Sequence, residues 1–199
     1  MSQSPSQSEV SVNFSPLFDV ARSVKKLLTA GLNIVRYRTL RQTFPKPARS
    51  ILVVCKGNIC RSPLAEAYLK SLVAKHRLPT IVRSAGLETS FGKPAHHFAQ
   101  AVGTEGGLLL DQHATQPLHK EQVEQADMIL VMEWQQRCRL LKLYPQAKRK
   151  VFLLRQFYDR SVKEVADPYS GTLEDFQTCF SMIRQACDVL VSQMLPASK

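Results

Sequence analysis

The chain of 199 residues lacks paired cysteines, long apolar runs and a secretion signal. None of its five cysteines forms a C-x-x-C pair, and their odd number argues against a disulfide framework. No apolar stretch approaches the ~18 residues that a membrane-spanning helix needs. The start, rich in Ser and Gln, has neither the basic residues nor the apolar core of a signal peptide. We therefore expect a cytoplasmic protein whose thiols stay reduced.

Positive charge exceeds negative charge, but not evenly along the chain, which has a formal net charge of +11. Residues 1–50 hold eight basic and two acidic side chains, a balance of +6, and the remainder holds nineteen and fourteen, a balance of +5. A basic balance is typical of proteins that bind nucleic acid, anionic lipid or anionic small molecules. No nucleic-acid motif and no stripe of basic and aromatic residues accompanies it. We therefore expect an anionic substrate and no nucleic-acid partner.

Short apolar runs alternate with helical periodicity from residue 49 onward. The candidate strands are Ile51–Val54, Thr80–Arg83, Met128–Met132 and Val151–Leu154. The candidate helices are Pro63–His76, Pro94–Gly103, Lys120–Gln125, Trp134–Leu143 and Leu173–Leu195. Strands separated by helices predict right-handed crossovers and a parallel sheet that is covered on both faces. We therefore predict one α/β domain over residues 49–199, with a four-stranded parallel sheet in a flavodoxin-like three-layer sandwich, preceded by an extension over residues 1–48.

The most informative segment directly follows the first candidate strand and reads Cys55-Lys56-Gly57-Asn58-Ile59-Cys60-Arg61-Ser62. Between a strand and a helix, backbone N–H groups and the positive end of the helix point at an anion in the turn. Arg61 adds a planar fork that can bind two phosphoryl oxygens. The same positive field favours the thiolate form of Cys55. Gly57 permits close backbone approach or positive φ, and Asn58 tolerates the left-handed region. This segment therefore predicts a phosphate-binding loop that contains a nucleophile.

At these residues the chain resembles the low-molecular-weight protein tyrosine phosphatase family. The shared pattern V-C-x-G-N-I-C-R-S-P is present as Val54 to Pro63. Downstream, Asp167-Pro168-Tyr169 matches the family's D-P-Y/F signature, and Ser84-Ala85-Gly86 matches its S-A-G segment. His113 matches the histidine after the second crossover helix. The resemblance covers about residues 50–195, with the motifs in the family's order.

The resemblance implies a role for each matching residue. Cys55 would attack phosphorus and form a phosphocysteine, Arg61 and the loop amides would hold the phosphoryl oxygens, and Asp167 would act as general acid and then as base. The phosphate site would comprise the loop residues Lys56, Gly57, Asn58, Ile59, Cys60 and Ser62, with Ser62 hydrogen-bonded to the sulfur. Asn58, Ser84 and His113 would hold the loop in shape. No metal and no cofactor is required, since arginine and amides supply the positive field.

Two aromatic side chains are candidates for the walls of the pocket, namely Tyr169 and Phe91. A deep slot with aromatic sides favours a phosphorylated phenol over the shorter phosphoserine. For Phe91, ordinary packing is an equal alternative. Ser170 follows Tyr169 where the family often has a second aromatic residue. The sequence therefore predicts an aryl phosphate substrate without fixing its finer specificity.

Three other functions remain as alternatives. An arsenate reductase on this fold needs further redox-active cysteines, and no such pair follows the second strand. A protein arginine phosphatase usually has threonine at the position of Ile59, and the larger isoleucine favours phosphotyrosine. An inactive phosphotyrosine-binding module is disfavoured because Cys55, Arg61 and Asp167 are all present. Cys60 lies five residues after Cys55 on one loop, so a bend could join the two sulfurs in a reversible disulfide.

Within the family, Ser84-Ala85-Gly86-Leu87 followed by Gly92-Lys93 resembles the bacterial branch. Members of that branch often dephosphorylate tyrosine kinases that control capsule and exopolysaccharide export. The resemblance therefore implies a phosphotyrosine protein as partner, with a bacterial tyrosine kinase as one candidate.

The segment over residues 15–41 combines apolar residues at roughly helical spacing with positive charges, and it precedes Pro45-Lys46-Pro47. Such a segment is typical of a basic amphipathic helix at a membrane surface. Three interpretations stay open: peripheral contact with a membrane or partner, an arm packed on the domain, and a disordered tail.

Overall fold

A computed structural model describes residues 47–158 and 164–195. The strands are β1 (Ser50–Cys55), β2 (Ile81–Gly86), β3 (Met128–Val131) and β4 (Val151–Leu153). They form one sheet in the order β2-β1-β3-β4, and all three pairings are parallel. The predicted four-stranded parallel sheet is confirmed.

Five α-helices connect or follow these strands: α1 (Arg61–Lys75), α2 (His97–Glu105), α3 (Lys120–Gln125), α4 (Trp134–Leu143) and α5 (Leu173–Met194). Two 3₁₀ helices, Pro145–Arg149 and Leu154–Phe157, flank β4 and were not predicted. Short turns of this kind leave no periodic signal in a sequence. The predicted bounds of α3 and α4 are correct, and those of α5 differ by one residue at its end.

Two predicted boundaries are wrong near the site. Helix α1 begins at Arg61, two residues earlier than expected. The segment Ser84-Ala85-Gly86 does not follow β2 but forms its end, because these residues pair with Val53, Val54 and Cys55 of β1. The pairing brings the end of β2 beside the start of the loop after β1.

The core lies on both sides of a sheet whose central strands are almost wholly buried. Ile51 and Val53 of β1 belong to one hydrophobic cluster with Leu64 of α1 and Phe176 of α5. Because successive strand residues face opposite sides, Leu52 points to the other face. In open sheets of this kind the carboxyl ends of the strands present the ligand site, and Cys55 is the last residue of β1.

The predicted segment over residues 15–41 lies outside the described residues and stays a prediction, as does the boundary at residue 48. None of the helices within residues 47–158 and 164–195 combines the length and hydropathy needed to cross a bilayer.

Candidate active site

A cavity of about 180 Å³ opens at the carboxyl end of β1. Eight of its nine lining residues are candidates from the sequence, and Glu88 is the ninth. The lining consists of Cys55, Lys56, Gly57, Ile59, Cys60, Arg61, Glu88, Asp167 and Tyr169. The structure thus brings the loop and the distant Asp167-Pro168-Tyr169 segment to one place.

The Cys55 thiol is held at the floor of this cavity, with 2% of the residue exposed. Its Sγ lies 3.0 Å from Ser62 Oγ and accepts a hydrogen bond from the Asn58 backbone N–H at 3.2 Å. The N-terminus of α1 begins six residues later, at Arg61. The Asn58 amide, the Ser62 hydroxyl and a helix N-terminus therefore surround the sulfur, and such groups stabilise negative charge.

Asn58 joins the loop to the elements behind it and is completely buried. Its φ of 54° lies in the left-handed region, which asparagine tolerates better than most residues. Its Nδ2 donates to Ser62 Oγ and to Ser84 Oγ, both at 2.8 Å. Its Oδ1 accepts from the Gln116 N–H at 2.8 Å, and its carbonyl accepts from His113 Nε2 at 2.7 Å. The residues that the resemblance implied for this network are therefore in contact.

Behind the loop, Glu66 was not predicted, and Gly86 was named only as part of the Ser84-Ala85-Gly86 segment. Glu66 of α1 accepts a hydrogen bond from Ser84 Oγ at 2.5 Å. A Cβ on Gly86 would lie 3.1 Å from the Asn58 backbone N, so only glycine lets β2 approach the loop this closely. Glu66 could have been found from its helical spacing, because it lies four residues after Ser62. By contrast, Gly57 is absent from the positive-φ residues, and a Cβ at this position would lie 3.4 Å from the Ile59 side chain, an ordinary van der Waals distance.

Arg61 is 1% exposed and is held by three oxygen acceptors. Nη1 donates to Glu133 Oε2 at 2.7 Å and to the Val165 carbonyl at 3.1 Å, and Nη2 donates to Asp167 Oδ2 at 2.5 Å. Burial opposes the charge, but the Cys55 charge and the two carboxylates outweigh it and raise the pKa of Arg61. The guanidinium therefore stays charged. Its buried Nε has no hydrogen-bond partner among the described residues, so the N–H of this atom is available to an anion.

Glu133 was missed by the sequence reasoning. It follows β3 after one residue, at the same sheet edge as Cys55. Its Oε2 accepts from Gln136 Nε2 at 2.7 Å as well as from Arg61, and Gln136 Oε1 accepts from the Met132 N–H at 3.0 Å. A charged residue just after a fully buried strand was the signal, since the strand ends meet at this edge.

Asp167 and Tyr169 form the opposite, more exposed side of the cavity. The Asp167 side chain is 37% exposed, and its Oδ1 accepts from the Tyr169 N–H at 3.3 Å. Tyr169 is 59% exposed, and its ring meets the His96 ring edge-on at 5.7 Å between centroids. His96 in turn stacks on Phe176 at 4.7 Å. Tyr169 therefore stands as a supported aromatic wall.

Phe91 is 70% exposed and is absent from the cavity lining. The structure therefore does not bring the second predicted wall to the site. The mouth instead carries Glu88, which pairs with Arg139 and, at 3.9 Å, with Lys56 Nζ. Opposite charges at the mouth thus flank the phosphate loop.

Cys60 is a free thiol and is 3% exposed. Burial, then the charge of Cys55 and that of Asp167, raise its pKa to about 12. Cys60 therefore remains protonated at neutral pH. Cys55 is also a free thiol, so no disulfide joins the two in this structure.

A strand, a cradle of amide donors with a thiol at its floor, and a buried arginine define a phosphate-loop enzyme site at the edge of an α/β sheet. Residues 50–198 match the model of the low molecular weight phosphotyrosine protein phosphatase family. The chain belongs to this family, whose members are enzymes.

Three relatives are similar over most of their own length. The probable phosphatase AmsI of Erwinia amylovora is 32% identical over 73% of this chain and 96% of its own. The phosphatase Etp of Escherichia coli K12 is 36% identical over 69% and 88%, and the protein-arginine-phosphatase of Bacillus subtilis is 33% identical over 72% and 95%. The crystal structure of the tyrosine phosphatase amsI from Erwinia amylovora superposes with a TM-score of 0.71, at 30% identity, over 78% of this chain and all of that one. The expected family and fold are confirmed.

Proposed function

We propose that this enzyme hydrolyses phosphotyrosine in proteins through a phosphocysteine intermediate. Cys55 is the nucleophile, Arg61 binds the phosphoryl group, and Asp167 is the general acid. The two phosphatases named above, AmsI and Etp, carry protein-tyrosine-phosphatase names. The observation that carries the proposal is the convergence of these three side chains on one small cavity.

In the first step the Cys55 thiolate attacks phosphorus. A sulfur–phosphorus bond forms, the phosphorus–oxygen bond to the phenol breaks, and the protonated Asp167 carboxyl gives its proton to the departing oxygen. We expect the phosphoryl group to compete with Asp167 for the Arg61 guanidinium, since both are anionic acceptors for its N–H donors. Binding of substrate therefore frees the carboxyl and satisfies the unpaired Arg61 Nε.

In the second step water attacks the phosphocysteine. Asp167 takes a proton from the water, the sulfur–phosphorus bond breaks, and inorganic phosphate leaves. The departing thiolate is stabilised by the Ser62 hydroxyl and the Asn58 amide, which already lie 3.0 and 3.2 Å from the sulfur. The loop amides and Arg61 stabilise the charge on the phosphoryl oxygens in both transition states.

The same fold serves arginine phosphatases among the relatives, so the aryl preference needs its own support. Ile59 lines the cavity, and Tyr169 forms an aromatic wall beside Asp167. A bulky aliphatic group suits the flat face of a phenol and offers a guanidinium no hydrogen-bond acceptor, whereas an aromatic wall can stack on either group. Ile59 therefore favours phosphotyrosine over phosphoarginine.

The direct test is a rapid-quench reaction with a phosphotyrosine peptide, followed by mass spectrometry of the Cys55 peptide. We expect phosphate on Cys55 and none in the Cys55→Ser variant. In parallel assays, the wild-type enzyme should hydrolyse the phosphotyrosine peptide faster than the phosphoarginine peptide. Ile59→Thr should shift that preference toward phosphoarginine by about tenfold, the scale of a methyl-sized change in a pocket. A wild-type preference for phosphoarginine would reverse the assignment of substrate.

The partner that we propose is a bacterial tyrosine kinase of the exopolysaccharide or capsule systems, as the branch resemblance implies. The basic segment over residues 15–41 would bring the enzyme to the membrane surface beside it. A chain without residues 1–48 should keep its aryl phosphatase activity and lose binding to anionic vesicles, most strongly at low salt. Unchanged vesicle binding would leave the segment without this role.

A further inference from the structure

A second cavity lies behind the phosphate loop, between α1, β2 and the segment over residues 107–116. Its volume is about 880 Å³, within the range of small-molecule sites. It shares no lining residue with the cavity that contains Cys55. We call it the rear cavity, and its principal lining residues are Glu66, Lys70, Arg83, Ser84, Leu110 and His113.

Two cationic side chains line the rear cavity, and acidic groups neutralise their charge only in part. Arg83 is exposed on β2, and its guanidinium has no hydrogen-bond or ion-pair partner in residues 47–158 and 164–195. Lys70 Nζ binds Glu66 Oε1 at 2.6 Å and keeps two further N–H donors, with its side chain 56% exposed. The lining therefore contains one carboxylate and two cations, and an anion would balance the remaining positive charge.

Apolar side chains and amides make up the rest of the lining. Leu108 and Leu110 are buried at 6% and 4% exposure, and Pro63 and Ala67 belong to the same wall. Gln112 also lines the cavity, and its side-chain amide has no partner among the described residues. The site therefore suits a small organic anion that combines a carboxylate or sulfonate group with an apolar body, and the apolar body distinguishes this ligand from inorganic phosphate.

Two hydrogen-bonded paths connect this cavity to the phosphate loop. Ser84 Oγ donates to Glu66 Oε2 at 2.5 Å and accepts from Asn58 Nδ2 at 2.8 Å. His113 Nε2 lies 2.7 Å from the Asn58 carbonyl, and because a carbonyl only accepts, Nε2 carries the proton. Asn58 in turn binds Ser62, which contacts the Cys55 sulfur.

We propose that the rear cavity is a regulatory site for a small organic anion, coupled to catalysis through Asn58. The structure makes both contacts to Asn58 at short range. An anion that draws Lys70 from Glu66, or that contacts His113, changes the charge beside these contacts and shifts the network from this preorganised geometry. Occupancy lowers kcat while the substrate still binds, because the anion and the substrate occupy different cavities.

Binding is tested with anilinonaphthalene sulfonate, an organic anion whose fluorescence rises in apolar surroundings, in saturating inorganic phosphate. Phosphate fills the catalytic loop, so the remaining fluorescence reports other sites. We expect saturable binding that phosphate does not displace. Arg83→Gln and Lys70→Gln should each weaken it about tenfold, the scale of one charge-assisted hydrogen bond. Lys75→Gln, on α1 but outside the lining, is the matched control and should bind as wild type does.

Kinetics with an aryl phosphate then test the coupling between the two cavities. This kinetic test rests on the proposed phosphatase function, whereas the binding test is independent of it. In wild type the probe should lower kcat about fivefold at saturation, at the low end of measured couplings, with KM unchanged. Arg83→Gln should shift this inhibition to about tenfold higher probe concentrations. Displacement by phosphate, or a rise in KM alone, would place the probe at Cys55 and overturn the site. Binding with unchanged kcat would overturn the coupling.

Discussion

The two sides of the phosphate loop are built from different interactions. Behind it, Asn58 is held by neutral hydrogen bonds among wholly or largely buried groups. In front, Arg61 is held by carboxylates of Glu133 and Asp167, whose side chains are 31% and 37% exposed. The rear network is thus neutral and mostly buried at Asn58, and the front is an ion-paired surface that water can reach.

This difference assigns separate tasks to the two sides. Buried hydrogen bonds that satisfy every partner fix one geometry, because breaking any one leaves an unpaired polar group. An exposed carboxylate exchanges partners more easily, since water replaces the lost contact. The rear therefore preorganises the sulfur and the amides, whereas the front releases Asp167 when a phosphoryl group takes its place on Arg61.

The largest loss of activity is expected when the Cys55 sulfur, which lies between the two sides of the loop, is replaced. Cys55→Ser should lower aryl phosphate turnover by about 10⁴-fold or more, because an alkoxide is not formed in a site built for a thiolate. Steady-state assays and a thermal melt measure activity and fold together. Cys138→Ser, at an exposed cysteine outside the cavity, is the control and should keep wild-type activity. Substantial turnover in purified Cys55→Ser would disprove the nucleophile.

The next prediction concerns the front side of the loop and changes the Asp167 carboxyl group. Asp167→Asn should lower kcat about 10²–10⁴-fold for aryl phosphates with poor leaving groups, which most need a proton. Substrates with good leaving groups should lose much less. A series of substituted phenyl phosphates gives the slope of log kcat against leaving-group pKa, which should become steeper. Equal losses across the series would mean that another group supplies the proton.

Much of the fold and the inner site could be predicted from the sequence. The loop from Cys55 to Ser62 is contiguous, so its spacing predicts its geometry, and the buried runs of β1 and β3 predicted the strand ends beside it to within one residue. Asp167 was found only through the family's D-P-Y pattern, because an isolated Asp-Pro pair more often marks a turn.

The residues that were missed depend on tertiary contacts. Glu66 and Glu133 become significant only when α1 and β3 bring them to Ser84 and Arg61. Phe91 is the opposite case, because it was a candidate for the pocket wall. Its side chain lies exposed and is absent from the cavity lining. The sequence shows which residues a loop contains, but it does not show the direction in which each side chain of the loop points.

The rear side is tested by removing its central side chain. Asn58→Ala leaves Ser62, Ser84 and the Gln116 N–H short of a partner and should cost about 2–3 kcal/mol of unfolding free energy. The rate should fall about a hundredfold, the scale of a small misplacement of catalytic groups. Denaturant melts and kcat/KM measure the two effects.

Asn58→Gly separates the hydrogen bonds from the backbone, because glycine adopts a φ of 54° without strain. It should match the rate loss of Asn58→Ala and be no less stable. A glycine variant with the wild-type rate would mean that the left-handed backbone, and not the side-chain network, positions the sulfur.

The smallest effect concerns Cys60, which lies at the boundary between the two sides. Peroxide would convert the Cys55 thiolate to a sulfenic acid and be reduced to water, and the Cys60 thiolate would then attack that sulfur and release hydroxide. Because burial raises the pKa of Cys60 to about 12, the thiolate is scarce at neutral pH. Its fraction, and hence the rate of disulfide formation, should rise about tenfold for each pH unit from about 7 to about 9. Cys60→Ser should regain less activity than wild type when thiol is added after peroxide, and Cys138→Ser should regain as much. Full recovery by Cys60→Ser, or a rate that does not change with pH, would show that Cys60 does not protect Cys55.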